Sequence, residues 1–465
     1  MSQTQEADGG VDRGPGGPPQ HKMRSPVRPN AFLLKSAIAA ALGGLLFGFD
    51  TAVIAGTTRS LTALYHLTAA GLGLTVSSAL FGTIPGAMFA GILGDRFGRR
   101  DSLRVMGLLY IVSALGSALA PDWYSLIFFR FIGGLGIGGS SVLGPMYIAE
   151  ISPPVWRGRL VGMFQFNIVF GILMAYFCNY LIGTLNPGAP EWRWKLGVAA
   201  APAALFLAML FTIPRSPRWL VKKGRIDEAR DVLRASGTEN YEEQLREIVQ
   251  SIQGEGEEAL FSRKYRFPIF LAISIGLFNQ LSGINAILYY LNDIFDRAGF
   301  SKVSGDVQSV AIGATNLLFT VIAMAVIDRV GRRFLLLTGA VGTAACLAGV
   351  AAVFFTGKHA GLLLWLLVGF IASFAFSQGA VIWVYLAEVF PTRVRGKGQS
   401  LGSFTHWFTN ALISGIFPLM AAASGGVPFV FFSAMMVLQF FVVLTVYPET
   451  KAISLEAMQR KLQTG

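Results

Sequence analysis

The sequence predicts an all-α membrane protein whose twelve transmembrane helices form two six-helix halves. Three observations lead to this fold class. Of 465 residues 53% are hydrophobic and only 14% are charged, the hydrophobic residues fall into twelve long runs, and motifs of the first half recur in the second. A soluble chain of this length needs more charge to cover its surface. Lipid is therefore the expected solvent for most of the chain.

Each apolar run is close to the ~20 residues that a helix needs to cross a bilayer. The predicted spans are 33–55, 71–94, 103–121, 124–148, 160–183, 196–213, 267–291, 308–327, 334–356, 362–389, 401–423 and 427–447. The long polar segment between the sixth and seventh spans has the pattern of short amphipathic helices. The first thirty residues are rich in Gly, Pro and charge, which is typical of disorder.

These features predict five segments. They are a disordered cytoplasmic tail at 1–30, an N-terminal six-helix half at 31–213, a cytoplasmic helical linker at 214–266, a C-terminal six-helix half at 267–447 and a cytoplasmic tail at 448–465.

Lys and Arg are distributed unequally between the two sets of connections. One set holds most of them, together with both termini and the basic linker, and the other holds only Arg59, Arg193, Lys195, Arg297, Lys302 and Lys358. Because cytoplasmic loops carry the excess of positive charge, both termini are expected to be cytoplasmic. Basic loops beside anionic lipid headgroups also account for the net charge of +12 without a nucleic acid partner.

Two motifs recur in the same order in the two halves. GILGDRFGRR (91–100) after the second span matches AVIDRVGRR (325–333) after the eighth, and AEISPPVWRGR (149–159) matches AEVFPTRVRGK (387–397). Such an internal repeat is typical of a duplicated transporter, with a binding site near the bilayer midplane between the halves.

The repeated motifs place acids and bases together at helix ends. The carboxylates are Asp95, Glu150, Asp328 and Glu388, and the neighbouring bases are Arg96, Arg100, Arg157, Arg329, Arg333 and Arg395. We expect ion pairs among them to hold the cytoplasmic side shut in one conformation and to separate in the other. The alternative is that these arginines only fix the topology.

Two ionisable residues lie deep in apolar spans, Asp50 in the first and Arg130 in the fourth. Either charge costs at least ~2.5 kcal/mol near a bilayer centre if it is unpaired, so we expect the two to pair inside the bundle. A buried carboxylate whose protonation depends on its partner can couple a proton to a conformational change. The alternative is a permanent ion pair that only locks the two helices together.

Neutral amides and indoles also lie inside apolar spans, where an inward-facing cavity is their natural place. They are Gln165, Asn279, Gln280, Asn285, Asn316, Trp383, Trp407 and Asn410. An interruption of the seventh helix near Gly283 would aim both Gln280 and Asn285 inward. Interhelical hydrogen bonding is the alternative role for any one amide.

Enzymatic chemistry finds no support in the residues. No nucleophile stands at motif spacing from a base, no metal-ligand cluster or cofactor motif is present, and the chain has only 4 His. The glycines of FIGGLGIGGSS (131–141) lie inside an apolar span and are better explained by close helix packing.

An ordered set of motifs resembles one family along nearly the whole chain. GDRFGRR, PRSPRWL (214–220), QLSGINAILYY (280–290), DRVGRR and PET (448–450) are similar to the sugar porter branch of the major facilitator superfamily. The resemblance implies a twelve-helix bundle in the plasma (inner) membrane, with a central sugar site exposed alternately to either side. We expect a monomer with a sugar and a proton as its partners and the lipid bilayer around it.

The resemblance also implies roles for individual residues. Sugar contacts are expected from Gln165, Asn279, Gln280, Asn285, Asn316, Trp383 and His406, with Phe47, Ile168, Phe374 and Trp407 lining the pocket. Gating roles are expected for Tyr289, Tyr290 and Arg218, in addition to the charged groups of the repeated motifs. An acid at the position of Asp50 is typical of the proton symporters in this family, whereas passive facilitators tend to have Asn there.

Several departures from the family pattern leave the substrate open. Asn279 stands where many relatives have Gln, His406 replaces a more usual Asn or Gln, and SQGAVIW around Trp383 lacks the proline pair often found there. The sequence thus predicts import of a monosaccharide, a hexose or a pentose, by proton symport. A passive sugar facilitator is the main alternative, followed by a sugar-binding sensor and a drug antiporter.

Overall fold

The computed structural model is helical throughout the part of the chain that it describes. That part comprises residues 30–237, 240–253, 259–390 and 394–451, without the side chains of 154, 155, 253, 303, 328 and 395. The two tails predicted at 1–30 and 448–465 lie outside it, apart from Asn30 and the residues from Pro448 to Lys451.

Eight helices form the first six spans and one connection. They are α1 (Ala31–Val53), α2 (Thr58–Tyr65), α3 (Ala69–Phe97), α4 (Arg99–Leu119), α5 (Trp123–Ile151), α6 (Pro154–Leu185), α7 (Glu191–Gly197) and α8 (Ala200–Leu210). A 3₁₀ turn, Ile54–Gly56, follows α1. Polar side chains cap several of these helices, as at α1, where the Asn30 side chain accepts a hydrogen bond from the amide of Leu33.

Twelve further helices complete the chain. The linker contains α9 (Pro217–Lys222), α10 (Ile226–Ala235) and α11 (Tyr241–Gln253). The second half contains α12 (Arg266–Leu281), α13 (Ile284–Tyr289), α14 (Leu291–Arg297), α15 (Lys302–Val330), α16 (Arg332–Thr356), α17 (Leu363–Phe376), α18 (Gln378–Glu388), α19 (Arg395–Ala423) and α20 (Val427–Thr445), of which α14 connects the seventh and eighth spans. Short 3₁₀ turns precede α12 and α17. The all-α fold class is confirmed.

Eleven stretches of the described chain are long and apolar enough to cross a bilayer. The remaining predicted span, 401–423, lies within α19, which has 29 residues but a lower hydropathy. Its buried residues include His406, Thr409, Asn410 and Ser414. Because polar side chains inside a membrane protein face its interior, their presence marks α19 as a helix that lines the centre of the bundle.

Two spans of the second half are broken. The seventh breaks between α12 and α13 at Gly283, whose φ of +79° lies in the left-handed region that glycine tolerates best. The predicted interruption there is confirmed. The tenth span breaks at Ser377, between α17 and α18, although it lacks a proline pair; the Ser377 hydroxyl donates to the carbonyl of Ser373. A hydroxyl bond to the preceding turn satisfies part of the backbone where the helix is interrupted.

Close packing inside the first half depends on the glycines of α5. A Cβ on Gly134 would lie 1.9 Å from the carbonyl oxygen of Ala79, and one on Gly138 would lie 2.2 Å from that of Thr83. The expectation that these glycines serve helix packing is confirmed. Between the two halves, α3 packs along α19 and α6 packs along α15.

Candidate functional site

A buried hydrogen-bonded cluster surrounds the break in the seventh span. The side-chain nitrogen of Gln280 lies 3.1 Å from Asn279 Oδ1 and 3.2 Å from the ring nitrogens of His406. Asn285 Nδ2 donates to Gln280 Oε1 over 3.1 Å. The left-handed turn at Gly283 interrupts the helix and brings the side chains of Gln280 and Asn285 together.

Aromatic rings extend this cluster to the boundary between the halves. The ring of His406 lies 5.2 Å from that of Trp383 and 5.1 Å from that of Trp407. The Trp407 ring in turn lies 5.1 Å from the ring of Phe47, which belongs to α1 of the first half. Neutral amides beside aromatic faces suit a ligand with many hydroxyl groups and an apolar ring face, because the amides both donate and accept.

Four predicted contact residues have no hydrogen bond or ring contact with this cluster among the described side chains. Among the hydrogen bonds and ring contacts of described side chains, none joins Gln165, Asn316 or Phe374 to it. Gln165 and Ile168 lie half-buried on α6 and Asn316 is buried on α15, and these two helices pack together across the halves. The ring of Phe374 packs instead on Phe370, at 6.5 Å.

The two tyrosines predicted as gates tie α13 and α14 to α19. Asn410 Nδ2 donates to the Tyr289 hydroxyl over 3.3 Å, and the Tyr290 hydroxyl donates to the carbonyl of Ser414 over 2.9 Å. Tyr290 also stacks on Phe417, with ring centroids 5.1 Å apart. These bonds fix the broken seventh span against the helix that carries His406 and Trp407.

The predicted pairing of the two membrane-embedded charges is present. Arg130 Nη1 lies 2.7 Å from Asp50 Oδ1, with side-chain exposures of 4% and 19%. The pair joins α1 to α5 inside the first half. Loss of either charge would leave the other buried without its counter-ion, so the pair stabilises the packing of these two helices.

The repeated motifs form one ion-pair network in each half. In the first, Arg99 bridges Asp95 Oδ1 at 2.8 Å and Glu150 Oε1 at 3.0 Å. In the second, Arg332 Nη2 lies 2.8 Å from Glu388 Oε1. Both arginines were missed in the sequence as network residues, and each is the first helical residue after a glycine with positive φ. The signal in the sequence was the GRR that both motifs share, since the turn at the glycine points the arginine directly after it back into the bundle.

The predicted gating arginines have other partners. Arg100 pairs with Asp101 at 2.9 Å, Arg157 donates to the carbonyl of Ser152 between α5 and α6, and Arg333 donates to the carbonyl of Leu444. Arg96 lies over the ring of Phe97. The carbonyl of Arg329 accepts from Lys451, and Arg218 lies on α9, where its charge acts on Glu150. The side chains of Asp328 and Arg395 lie outside the described residues.

The contacts of these charges lie within each half, and the expectation that they shut the cytoplasmic side in one conformation stays a prediction. Within the described chain, the network of Arg99 joins α3, α4 and α5 of one half, and that of Arg332 joins α16 and α18 of the other. Ser216, at the start of the linker, bonds Glu150, and Lys222 pairs with Asp95 at 2.8 Å. Each network therefore fastens its own half, because its members come from one six-helix unit.

Comparison with known proteins identifies the family. The family model "Sugar (and other) transporter" matches residues 36–462. The arabinose-proton symporter of Bacillus subtilis is 37% identical over 439 residues, which cover 92% of this chain and 95% of that protein. The D-xylose-proton symporter of Escherichia coli K12 is 34% identical over 471 residues, covering 92% and 96%. The chain belongs to the sugar transporter family.

A solved structure supports the same assignment. The xylose transporter XylE of Escherichia coli, in a partially occluded inward-open conformation, matches with a TM-score of 0.82 and 33% identity over 91% of this chain and all of that one. This sugar transporter is thus a multi-pass membrane protein with the major facilitator fold of twelve transmembrane helices in two halves. It is a transporter and not an enzyme, as the sequence predicted.

The sugar transporter has inter-half ion pairs on the membrane side opposite the GRR motifs, here called the far side. Lys302 of α15 pairs with Glu191 of α7 at 2.5 Å, and Arg59 of α2 pairs with Asp296 of α14 at 3.1 Å. The Tyr176 hydroxyl also donates to the carbonyl of Leu288 over 2.7 Å, between α6 and α13. These contacts join the two halves at their far-side ends.

Sequence reasoning used the far-side charges only to assign topology. Glu191 also pairs with Lys195 one turn later, at 2.7 Å, and Lys195 donates to the carbonyl of Gly56. Lys195 is almost completely buried, with a side-chain exposure of 1%. A lysine buried to this degree requires polar partners. The signal in the sequence was the acid four residues earlier, Glu191, at the spacing of a helical ion pair.

Proposed function

We propose that this sugar transporter imports a monosaccharide, a hexose or a pentose, by proton symport with alternating access. The pair of Asp50 and Arg130 carries the proposal, because it is a buried acid–base pair embedded in the membrane, away from the networks that fasten each half. The relatives named as arabinose-proton and D-xylose-proton symporters support the same substrate class and the same coupling ion.

In the proposed sugar site, the amides of Asn279, Gln280 and Asn285 and the ring of His406 bond sugar hydroxyls. Trp383, Trp407 and Phe47 supply apolar faces for the sugar ring. Gln165, Ile168, Asn316 and Phe374 complete the pocket from α6, α15 and α17 when the halves rearrange. Because Phe47 and Asp50 lie three residues apart on α1, they share one side of that helix, and a shift of α1 reaches both the proton site and the sugar site.

In the proposed transport cycle, the far side is closed by the contacts described above while the GRR side opens. The proposal places the GRR side and both termini in the cytoplasm, since the basic loops lie there. The five segments predicted from the sequence, a plasma (inner) membrane location and a monomeric working unit belong to the same proposal. Tyr289 and Tyr290 act as gates by moving α13 and α14 with α19.

The test uses purified protein in proteoliposomes with an imposed pH difference. At one proton per sugar, a one-unit pH difference supports about tenfold accumulation in the wild type. Asp50→Asn removes the titrating carboxylate, so gradient-driven accumulation is expected to fall to the equilibrium level while sugar counterflow at equal pH persists. Asp101→Asn is the matched control, because Asp101 is also a partly buried, ion-paired acid of the first half.

Each outcome separates the proposed symporter from an alternative. Wild-type transport that only equilibrates the sugar, whatever the pH difference, identifies a passive facilitator. Sugar binding without counterflow identifies a sensor. Loss of both accumulation and counterflow in Asp50→Asn, with Asp101→Asn unaffected, shows that the ion pair is structural and contradicts the coupling role.

A further inference from the structure

A small cavity inside the first half borders the Asp50–Arg130 pair. Its walls come from α1, α4, α5, α7 and the start of α8, all within the first half; they include Asp50, Tyr110, Ser113, Ser117 and Arg130, with Ala114 and Ala199 among the apolar residues. Ser113 and Ser117 are four residues apart on α4, so both face the pair.

Two buried polar atoms beside this cavity have no partner among the described residues, namely Arg130 Nε and Ser117 Oγ. The residues are only 4% and 2% exposed. A buried donor without a hydrogen bond costs about 1–3 kcal/mol, so such groups usually bind an ordered water molecule.

The cavity has the size and the polarity that a bound water needs. The volume open to the centre of a water molecule is about 20 Å³, and one water needs about 10–15 Å³ together with two to four polar partners. Arg130 Nε, Ser117 Oγ and the carboxylate of Asp50 supply three such partners at the cavity wall.

The position of the cavity along the bundle indicates which membrane surface it approaches. Ser117 lies two residues before the end of α4 at Leu119, and Arg130 lies in the second turn of α5, which begins at Trp123. Both helix ends are on the far side of the membrane. The serine pair therefore leads from Asp50 toward the far-side surface, whereas the amide and histidine cluster lies across the boundary in the second half.

We propose that this cavity binds water and is the route by which the proton reaches Asp50, separate from the path of the sugar. The proposal rests on proton symport. A hydronium ion on the far side passes its proton through the cavity water to the Asp50 carboxylate, which becomes neutral, and a water molecule is left behind. Arg130 keeps its charge and its hydrogens throughout, and Ser117 only orients the water.

The test replaces the hydroxyl of Ser117 and fills its space. Ser117→Val removes the water's partner and adds a methyl group, whereas Ser117→Thr keeps the hydroxyl. The control is Ser102→Val, because Ser102 is a buried serine of the same helix whose Oγ likewise has no partner in the described part of the chain, yet it does not line the cavity. Sugar-driven proton uptake and sugar counterflow at equal pH are measured on each variant in proteoliposomes.

We expect Ser117→Val to slow sugar-driven proton uptake about tenfold, which corresponds to the loss of one hydrogen bond of ordinary strength. Counterflow is expected to stay within about twofold of the wild type, because uncoupled sugar exchange needs no proton transfer, and Ser117→Thr is expected to restore proton uptake. Equal proton uptake in Ser117→Val and Ser102→Val overturns the inference, as does an equal loss of uptake and counterflow in Ser117→Val.

The proposed function fails in a different way. If the wild type takes up no protons with the sugar, proton symport is refuted and the water route falls with it. If Asp50→Asn uncouples transport while Ser117→Val behaves as the wild type, symport stands and only the route is refuted.

Discussion

The far-side contact between Lys302 and Glu191 predicts how the two conformations of the transporter are balanced. Lys302→Met removes the only charged group of the second half that is seen to pair with Glu191 among the described residues. Glu191 keeps its bond to Lys195, so the substitution does not leave a buried carboxylate alone. The change therefore acts on the contact between the halves more than on the stability of either half.

The free energy of this ion pair can be judged from the solvent exposure of its two side chains. The Lys302 side chain is 44% exposed and that of Glu191 only 8%, so the pair is half-screened by solvent. We assign it about 1 kcal/mol, which changes the ratio of far-side-open to far-side-closed molecules about fivefold. The other inter-half pair, Arg59 with Asp296, is exposed at 68% and 51%. Its removal in Arg59→Ala is expected to shift the ratio by less than about twofold.

The assay is a distance measurement between spin labels on the two halves. Leu64 and Leu362 are both exposed at the far side, one in each half, and accept labels as Leu64→Cys and Leu362→Cys. The native Cys178 and Cys346 are first replaced by Ser. Lys302→Met should raise the long-distance population about fivefold. Equal shifts from Lys302→Met and Arg59→Ala, or none from either, refute the reasoning from burial.

Three further substitutions test other parts of the structure. Gln280→Ala should weaken sugar binding about tenfold or more, as measured by calorimetry, because it removes the centre of the amide cluster. Arg99→Lys should lower the free energy of unfolding by about 1–3 kcal/mol in thermal melts, against less than about 1 kcal/mol for Arg100→Lys, since only Arg99 spans two carboxylates. Burial raises the pKa of Asp293 to about 6 from 3.8, so its contribution to stability falls as pH rises through that window. Asp293→Asn should remove this pH dependence and raise the melting temperature at pH 7.5; an unchanged profile would contradict it.

The features that the sequence predicted well depend on local chemistry. Long apolar runs are enough to predict spans, because crossing lipid demands a continuous helix. A glycine flanked by amides predicted the break at Gly283, and the cost of lone charge in lipid predicted the pairing of Asp50 with Arg130. In each case the physical requirement concerns a few residues and can be assessed from their immediate neighbours in the sequence.

The features that the sequence missed depend on how distant helices meet. Arg99 was overlooked beside Arg96 and Arg100, because only the turn at Gly98 decides which arginine points inward. The pairing of Lys302 with Glu191 joins residues more than a hundred positions apart and needs the assembled halves. No helix-breaking proline accompanies the break at Ser377, so an argument from helix propensity does not find it.

Direct measurement of proton movement with the sugar tests the central claim most simply. When a transported pentose or hexose is added outside lightly buffered proteoliposomes containing the wild-type protein, the external medium should become alkaline at a rate that tracks sugar entry. Sugar entry at the same rate with no change in external pH would contradict the account.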